Sequence, residues 1–158
     1  MFLLKYQLAI TKEFISSEIV ELKTDCEIVW AEINISGTKK ICVDSYYRPP
    51  SDKGTSLEQL NISLNRLDNT TTTNIWLGGD FNLGHIDWSI PAFILGKPDA
   101  KQHQLLLDII SNHHLHQATD KPTRKDRILD LILVNNPTSI NKLNTLPPIG
   151  SADHDIVM

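Results

Sequence analysis

No stretch of this 158-residue chain approaches the ~18–20 consecutive apolar residues that a membrane-spanning helix needs. The opening segment, Met1 to Ile10, is too short and wrongly flanked for a secretory signal, so an intracellular protein is expected. Cysteine is scarce as well. Cys26 and Cys42 both sit in apolar alternating runs and read as small buried hydrophobes rather than a disulfide or redox pair. The glycosylation triplets at Asn34, Asn61 and Asn69 then carry no weight, because such triplets matter only in a secreted protein. An excess of positive charge is also missing. Fifteen Lys and Arg against 19 Asp and Glu leave a net charge of −4 and a pI near 5.8. That balance disfavours tight nonspecific binding to nucleic acid, which needs clustered cations to meet phosphates. Repeats, low-complexity tracts and domain linkers are lacking too. With 41% hydrophobic and 22% charged residues, residues 1–158 read as one domain around one core.

The hydrophobic pattern alternates between two periods. Residues 26–35 and 41–47 are β-branched and alternating, so they read as two strands joined through Ser36-Gly37. Arg48-Pro49-Pro50 ends the second, since proline removes ladder donors and holds its predecessor extended. Thr55 to Glu58 has capping-box spacing, and Leu57, Leu60, Leu64 and Leu67 follow at helical intervals. After a polar link over 68–73, Asn74 to Gly79 is a short apolar strand with Asp80 where it runs out. Asp99 opens a second helix with Leu105, Leu106, Ile109 and Ile110 inward, extending toward Leu115. Arg127 to Val134 reads as a strand carrying one carboxylate, and a short strand near 142–146 precedes Pro147-Pro148. Strands and helices interleave, so the class is α/β or α+β.

Three places put acidic or imidazole groups against apolar strands: Asp80 with Asn82, Asp130, and Asp153 with His154. Strand ends hold polar groups rigidly while leaving them open to a ligand. Asp130 stands inside Arg-Ile-Leu-Asp-Leu-Ile-Leu-Val, where a carboxylate is costly to bury without a partner. A histidine is the natural partner, because a carboxylate on one ring nitrogen fixes the tautomer and raises basicity. On physics alone, a catalytic Asp130 and a structural hydrogen-bonded Asp130 both stay open.

In order and spacing, Gly78-Gly79-Asp80-Phe81-Asn82, Asp130 and Asp153-His154 resemble the endonuclease/exonuclease/phosphatase superfamily. Cys26-Glu-Ile-Val-Trp30, Tyr46-Tyr47-Arg48-Pro49-Pro50, Pro122-Thr123-Arg124 and Ser151 to Val157 look like its apurinic-endonuclease-like branch in non-LTR retrotransposons. The resemblance runs from about residue 20 to 158. It implies a two-sheet β-sandwich flanked by helices (the DNase I-like fold) and DNA phosphodiester hydrolysis with Mg²⁺ or Mn²⁺. A reverse transcriptase fused to the domain and a nuclear location are implied too. Carried over, Asp80 positions or deprotonates water, Asn82 orients it, and His154 contacts the scissile phosphate. Asp130 would hold His154, Asp153 would lie at the metal, and Tyr47 would help bind the phosphate. Arg124 is a candidate DNA-backbone contact.

The chain departs from the pattern twice. Ala152 stands between Ser151 and Asp153, and no counterpart is found for the family's early Asn or its metal-ligating Glu; Glu13, Glu18 and Glu21 are poor substitutes. The expectation is a partial domain lacking its first strands, with weak metal binding and weak or absent activity. A catalytically silent remnant serving as a binding surface, or a phosphatase of the same superfamily, are the rival readings. Among other features, His113-His114-x-His116 is expected to cap a helix rather than bind metal, and His85 to fill a loop. Trp30 and Trp76 are expected in the core and Trp88 to pack, while Lys39-Lys40 and residues 121–127 are too sparse for a DNA-binding stripe.

Overall fold

The computed structural model describes residues 2–4, 7–67, 73–148, 150 and 152–157. The polar link at 68–72 and Ser151 lie outside the described residues. In chain order the strands are β1 (Phe2–Leu4), β2 (Gln7–Ala9), β3 (Ile15–Glu18), β4 (Glu27–Asn34) and β5 (Lys40–Tyr47). Helix α1 (Thr55–Arg66) leads to β6 (Thr73–Asp80) and a two-residue ladder, β7 (Ile86–Asp87) with β8 (Ala92–Phe93). Helix α2 (Ala100–Asn112), β9 (His116–Gln117), β10 (Asp130–Val134), β11 (Thr145–Leu146) and β12 (Ile156–Val157) complete the order.

One sheet organises these elements, in the order β3-β4-β5-β6-β10-β9, with β5 and β6 parallel and every other pairing antiparallel. The parallel step is the crossover through α1, which antiparallel neighbours do not need. Alternation along the strands sends Ile28, Trp30, Cys42, Tyr46, Ile75, Leu77, Leu131 and Leu133 to one face. There they meet Leu57, Leu60 and Leu64 of α1 and Leu106 and Ile109 of α2. The opposite face buries Ala31, Ile33 and Val43 under Leu8 and Ile10, with Trp76 packed alongside. Trp76 is only half-buried there, whereas Trp30 is fully in the core, where its indole N–H donates to Ser63 Oγ at 2.8 Å. A cavity of ≈490 Å³ opens between Trp76, Ile132 and residues 139–143. The architecture is therefore mixed α/β, a sheet flanked by helices on one face and by two-stranded ladders on the other.

Local details depart from the sequence expectation at four points. Thr55 is the first helical residue rather than a cap; Gly54 is the N-cap, and the side-chain acceptor is Asp52 two residues before it, whose carboxylate accepts from Gly54 N (2.8 Å) and Ser56 N (3.1 Å). Helix α2 stops at Asn112 because His114 takes a left-handed conformation. Its neighbours then close a Schellman motif, Leu115 N to Ile110 O and His114 N to Ser111 O. Strand β10 begins at Asp130 itself, so that carboxylate stands at the strand's mouth and is not interior to it. Strand β3 carries no alternating apolar signal and is exposed throughout. Both cysteines are free.

Gly79 is demanded by the close approach of β5 and β6: an added Cβ would lie 1.8 Å from Tyr46 O. Gly79→Ala is expected to cost about 3–5 kcal/mol or to prevent folding. Gly37→Ala meets nothing within 4 Å and should cost only about 1–2 kcal/mol for its positive φ. Urea unfolding of the two variants checks the contrast.

Candidate active site

The register places Tyr47 beside Asp80 across the parallel β5–β6 pair, and Asp80 opposite Asp130 across the antiparallel β6–β10 pair. Residues paired in this way share a face, so three polar side chains form a rank at one end of the sheet. Glu27, opposite Tyr47 on β4, extends the rank one strand further. Sequence reading gave Glu27 no role, because only the pairing register shows where it falls.

Beyond Asp80 the chain leaves the sheet through Asn82, in the left-handed region at φ 50°. That turn folds Asn82 back onto the carboxylate it follows. Its backbone N–H donates to Asp80 Oδ1 and its amide to Asp80 Oδ2, each at 3.0 Å. The same amide donates to Arg48 O at 2.9 Å, while Arg48 N donates to Asp80 O at 2.9 Å. Arg48 is 1% exposed, with its guanidinium directed to Asp52 O (2.6 Å) and Phe81 O (3.4 Å). Its Nε also lies 3.3 Å from Asp52 Oδ2, so a buried arginine is held by one carboxylate and two backbone carbonyls, and no pattern in the sequence marks it as internal.

Asp130 is held from the other side by Thr123, a buried residue whose hydrogen-bonding groups are all used. Thr123 Oγ1 accepts from Leu129 N and Asp130 N at 3.0 Å each, and Thr123 N donates to Arg127 O at 2.8 Å. Its carbonyl accepts from Asp155 N at 2.7 Å, docking the segment that bears His154. His154 Nδ1 then lies 2.8 Å from Asp130 Oδ2, the carboxylate–imidazole pairing expected of these two residues. Asp153 points elsewhere: its carboxylate pairs with Arg124 Nη2 at 2.5 Å, and Oδ1 lies 4.0 Å from His154 Nε2.

Tyr47, Asp80, Asn82, Arg124, Asp130, Asp153 and His154 all line one cavity of ≈440 Å³. Within it, ligand atoms of Asp80, Asp130 and His154 lie within 4.8 Å of one another. Burial, and then the neighbouring Asp130, push the Asp80 carboxyl up to about 6; His154 and the Asn82 hydrogen bonds oppose the shift. Two converging carboxylates beside one imidazole suit a divalent cation, since the surplus is negative charge and the donors are mostly oxygen. Glu13, Glu18 and Glu21 are exposed on β3 and its flanking turns, outside this group.

Other histidines serve the scaffold. His113 Nε2 lies 2.9 Å from Asn61 Oδ1, tying α2 to α1. His103, buried, accepts from His85 N at 3.1 Å and reaches Asp99 O at 2.7 Å, so it pins the loop after Asn82 to the start of α2. Trp88 packs against the main core.

Residues 41–158 match the protein family described as Endonuclease-reverse transcriptase. The chain belongs to this family. Every residue of the cavity falls within the matched segment. Among solved structures, the endonuclease domain of TRAS1, a telomere-specific non-LTR retrotransposon, superposes with a TM-score of 0.68 at 20% identity, over 93% of this chain and 68% of that one. An endonuclease/exonuclease/phosphatase from Beutenbergia cavernae DSM 12333 gives 0.53 at 15% identity, over 82% of this chain and 37% of that one. Humanized D. rerio TDP2 gives 0.50 at 12% identity, over 91% and 65%. At such identities these likenesses establish the endonuclease/exonuclease/phosphatase fold. A comparison with curated proteins gave no match.

Two variants probe the scaffold of the site in this family member. Thr123→Val keeps the shape but strands two buried backbone donors, at a cost of about 2–4 kcal/mol in chemical unfolding. Asp80 has a folded-state pKa raised above its ordinary 3.8, so the stability it contributes is complete below that value and lost as pH rises through about 6. Asp80→Asn should therefore raise the melting temperature above that of the parent at pH 7.5, by on the order of 2–6 °C. The gain should shrink toward zero by pH 4.

Proposed function

We propose that this domain is an endonuclease of retrotransposon origin that hydrolyses DNA phosphodiester bonds with Mg²⁺ or Mn²⁺, at low rate in this stretch of chain. The observation that carries the reading is the convergence of Asp80, Asn82, Asp130 and His154 in one cavity, in a chain of the Endonuclease-reverse transcriptase family. In-line hydrolysis needs an aligned water, a group to take its proton, and donors for the charge that develops on the phosphate oxygens. Asp80 is the base: a carboxyl lifted to about 6 is largely ionised at neutral pH yet more basic than an ordinary aspartate. Asn82, bonded through its own N–H and amide to that carboxylate, fixes which way Asp80 faces. His154, oriented by Asp130 on Nδ1, presents Nε2 to a phosphate oxygen. Tyr47 and Arg124 line the same cavity and supply further donors to the phosphodiester. A divalent cation at Asp80 and Asp130, with Asp153 near it, would offset the carboxylate charge and polarise the phosphate. The low rate follows from the donor set, which among the described residues offers two converging carboxylates beside one imidazole. A place beside a reverse transcriptase accords with the family's description.

The test is nicking of supercoiled plasmid with Mg²⁺ by the parent, Asp80→Ala and His154→Ala. Each substitution should lower the rate by about 10²–10³-fold. Equal nicking by all three proteins would end the assignment. The engagement of Asp153 with Arg124 also favours a second reading, a catalytically silent DNA-binding module. That reading expects no nicking by the parent together with duplex binding that weakens in Arg124→Gln.

A further inference from the structure

We infer that the Arg124–Asp153 ion pair is an exchangeable latch: an entering phosphodiester takes over the Arg124 guanidinium, and the released Asp153 carboxylate turns to the divalent cation at Asp80 and Asp130. The inference rests on the nuclease reading and adds to it an order of events. Arg124 is engaged with Asp153 through Nη2, while its side chain remains 39% exposed and lines the cavity that holds Asp80 and His154. Asp153 is 67% exposed, and its second oxygen stands 4.0 Å from His154 Nε2, at the border of the Asp80–Asp130–His154 group without belonging to it. An ion pair this open to solvent is weak, because water screens it and ordering two side chains costs entropy. A phosphodiester offers the planar guanidinium a fork of two charged oxygens, the geometry that arginine binds best. Exchange does not require the backbone to move. His154 is fixed to Asp130 and Asp155 to the Thr123 carbonyl, so the chain that follows Asp153 is anchored while its exposed side chain turns. Phosphodiester and cation then assist each other, and linkage requires the assistance to be equal in both directions.

The experiment measures Mn²⁺ affinity of the full chain from the free-ion paramagnetic resonance signal. It is run with and without a short DNA duplex carrying phosphorothioate linkages to slow cleavage. Without DNA, Arg124→Gln should bind Mn²⁺ up to about fivefold more tightly than the parent, the range of a partly exposed ion pair. The duplex should tighten Mn²⁺ binding to the parent by a similar factor and add little in Arg124→Gln. Asp153→Asn should abolish both effects, and the double variant should behave as Asp153→Asn alone. If Arg124→Gln does not fold, Asp153→Asn decides, since a duplex that still tightens its Mn²⁺ binding overturns the latch. Unchanged affinity in Arg124→Gln, with binding still lost in Asp80→Asn, overturns the latch and leaves the nuclease reading standing. Mn²⁺ binding that is indifferent to Asp80→Asn overturns both.

Discussion

Two carboxylates facing each other across a strand pair are the constraint around which this molecule is arranged. The β6–β10 register sets Asp80 opposite Asp130, and like charges directly opposite one another on a sheet repel. Burial adds to the cost by removing the water that would screen them. The surroundings read as a set of answers to that repulsion. Asn82 turns through a left-handed conformation to place two donors on Asp80, and His154 meets Asp130 from the far side. Neither answer removes the negative surplus, which is why the site still calls for a cation.

The scaffold fixes the two halves of the site with different firmness. Asp80 belongs to a central strand whose neighbours on both sides are paired, and Arg48 and Phe81 lock its exit from beneath. His154 belongs to a segment with little burial, held by Asp130, by the Thr123 carbonyl and by Arg124. Firm base and lightly held imidazole suit a reaction in which a long, charged substrate must enter before the donors close on it. A carboxylate fixed by a strand does not need to travel; the half-buried histidine keeps its orientation through Asp130.

Much of this was legible in the residues. The strands 27–34, 40–47 and 73–80 and both helices follow from period-two and period-3.6 patterning, and the polar residues at their ends mark where a site can form. The ordered motifs pointed to the family that residues 41–158 match. What escaped depended on contacts between distant segments. Strand β3 is exposed along its length, so its only strand-making interaction is the ladder to β4, which no local pattern reports. The Asp52 carboxylate accepts from Gly54 N and Ser56 N at the start of α1, where the Asp52 carbonyl is held by the buried Arg48 guanidinium. The Arg127 to Leu129 run looks like strand but stays outside the β10 ladder: Arg127 bridges Arg124, and Thr123 Oγ1 accepts the amide protons of Leu129 and Asp130. In each case the deciding interaction depends on how the chain turns, which residue type and spacing do not report.

Asp153 shows why adjacency in sequence is not adjacency in a site. It neighbours His154, yet the two side chains divide between different partners, His154 to Asp130 and Asp153 to Arg124. The division has an electrostatic reason. A third carboxylate beside Asp80 and Asp130 would add repulsion where burial, and then Asp130, already lift the Asp80 pKa to about 6, whereas a guanidinium at the rim can neutralise it. The arrangement therefore spreads negative charge apart, and a bound divalent ion would reverse the preference by making a third oxygen ligand favourable. Charge balance, more than any hydrogen bond, decides where Asp153 rests, and the side chain's exposure leaves it free to follow that balance.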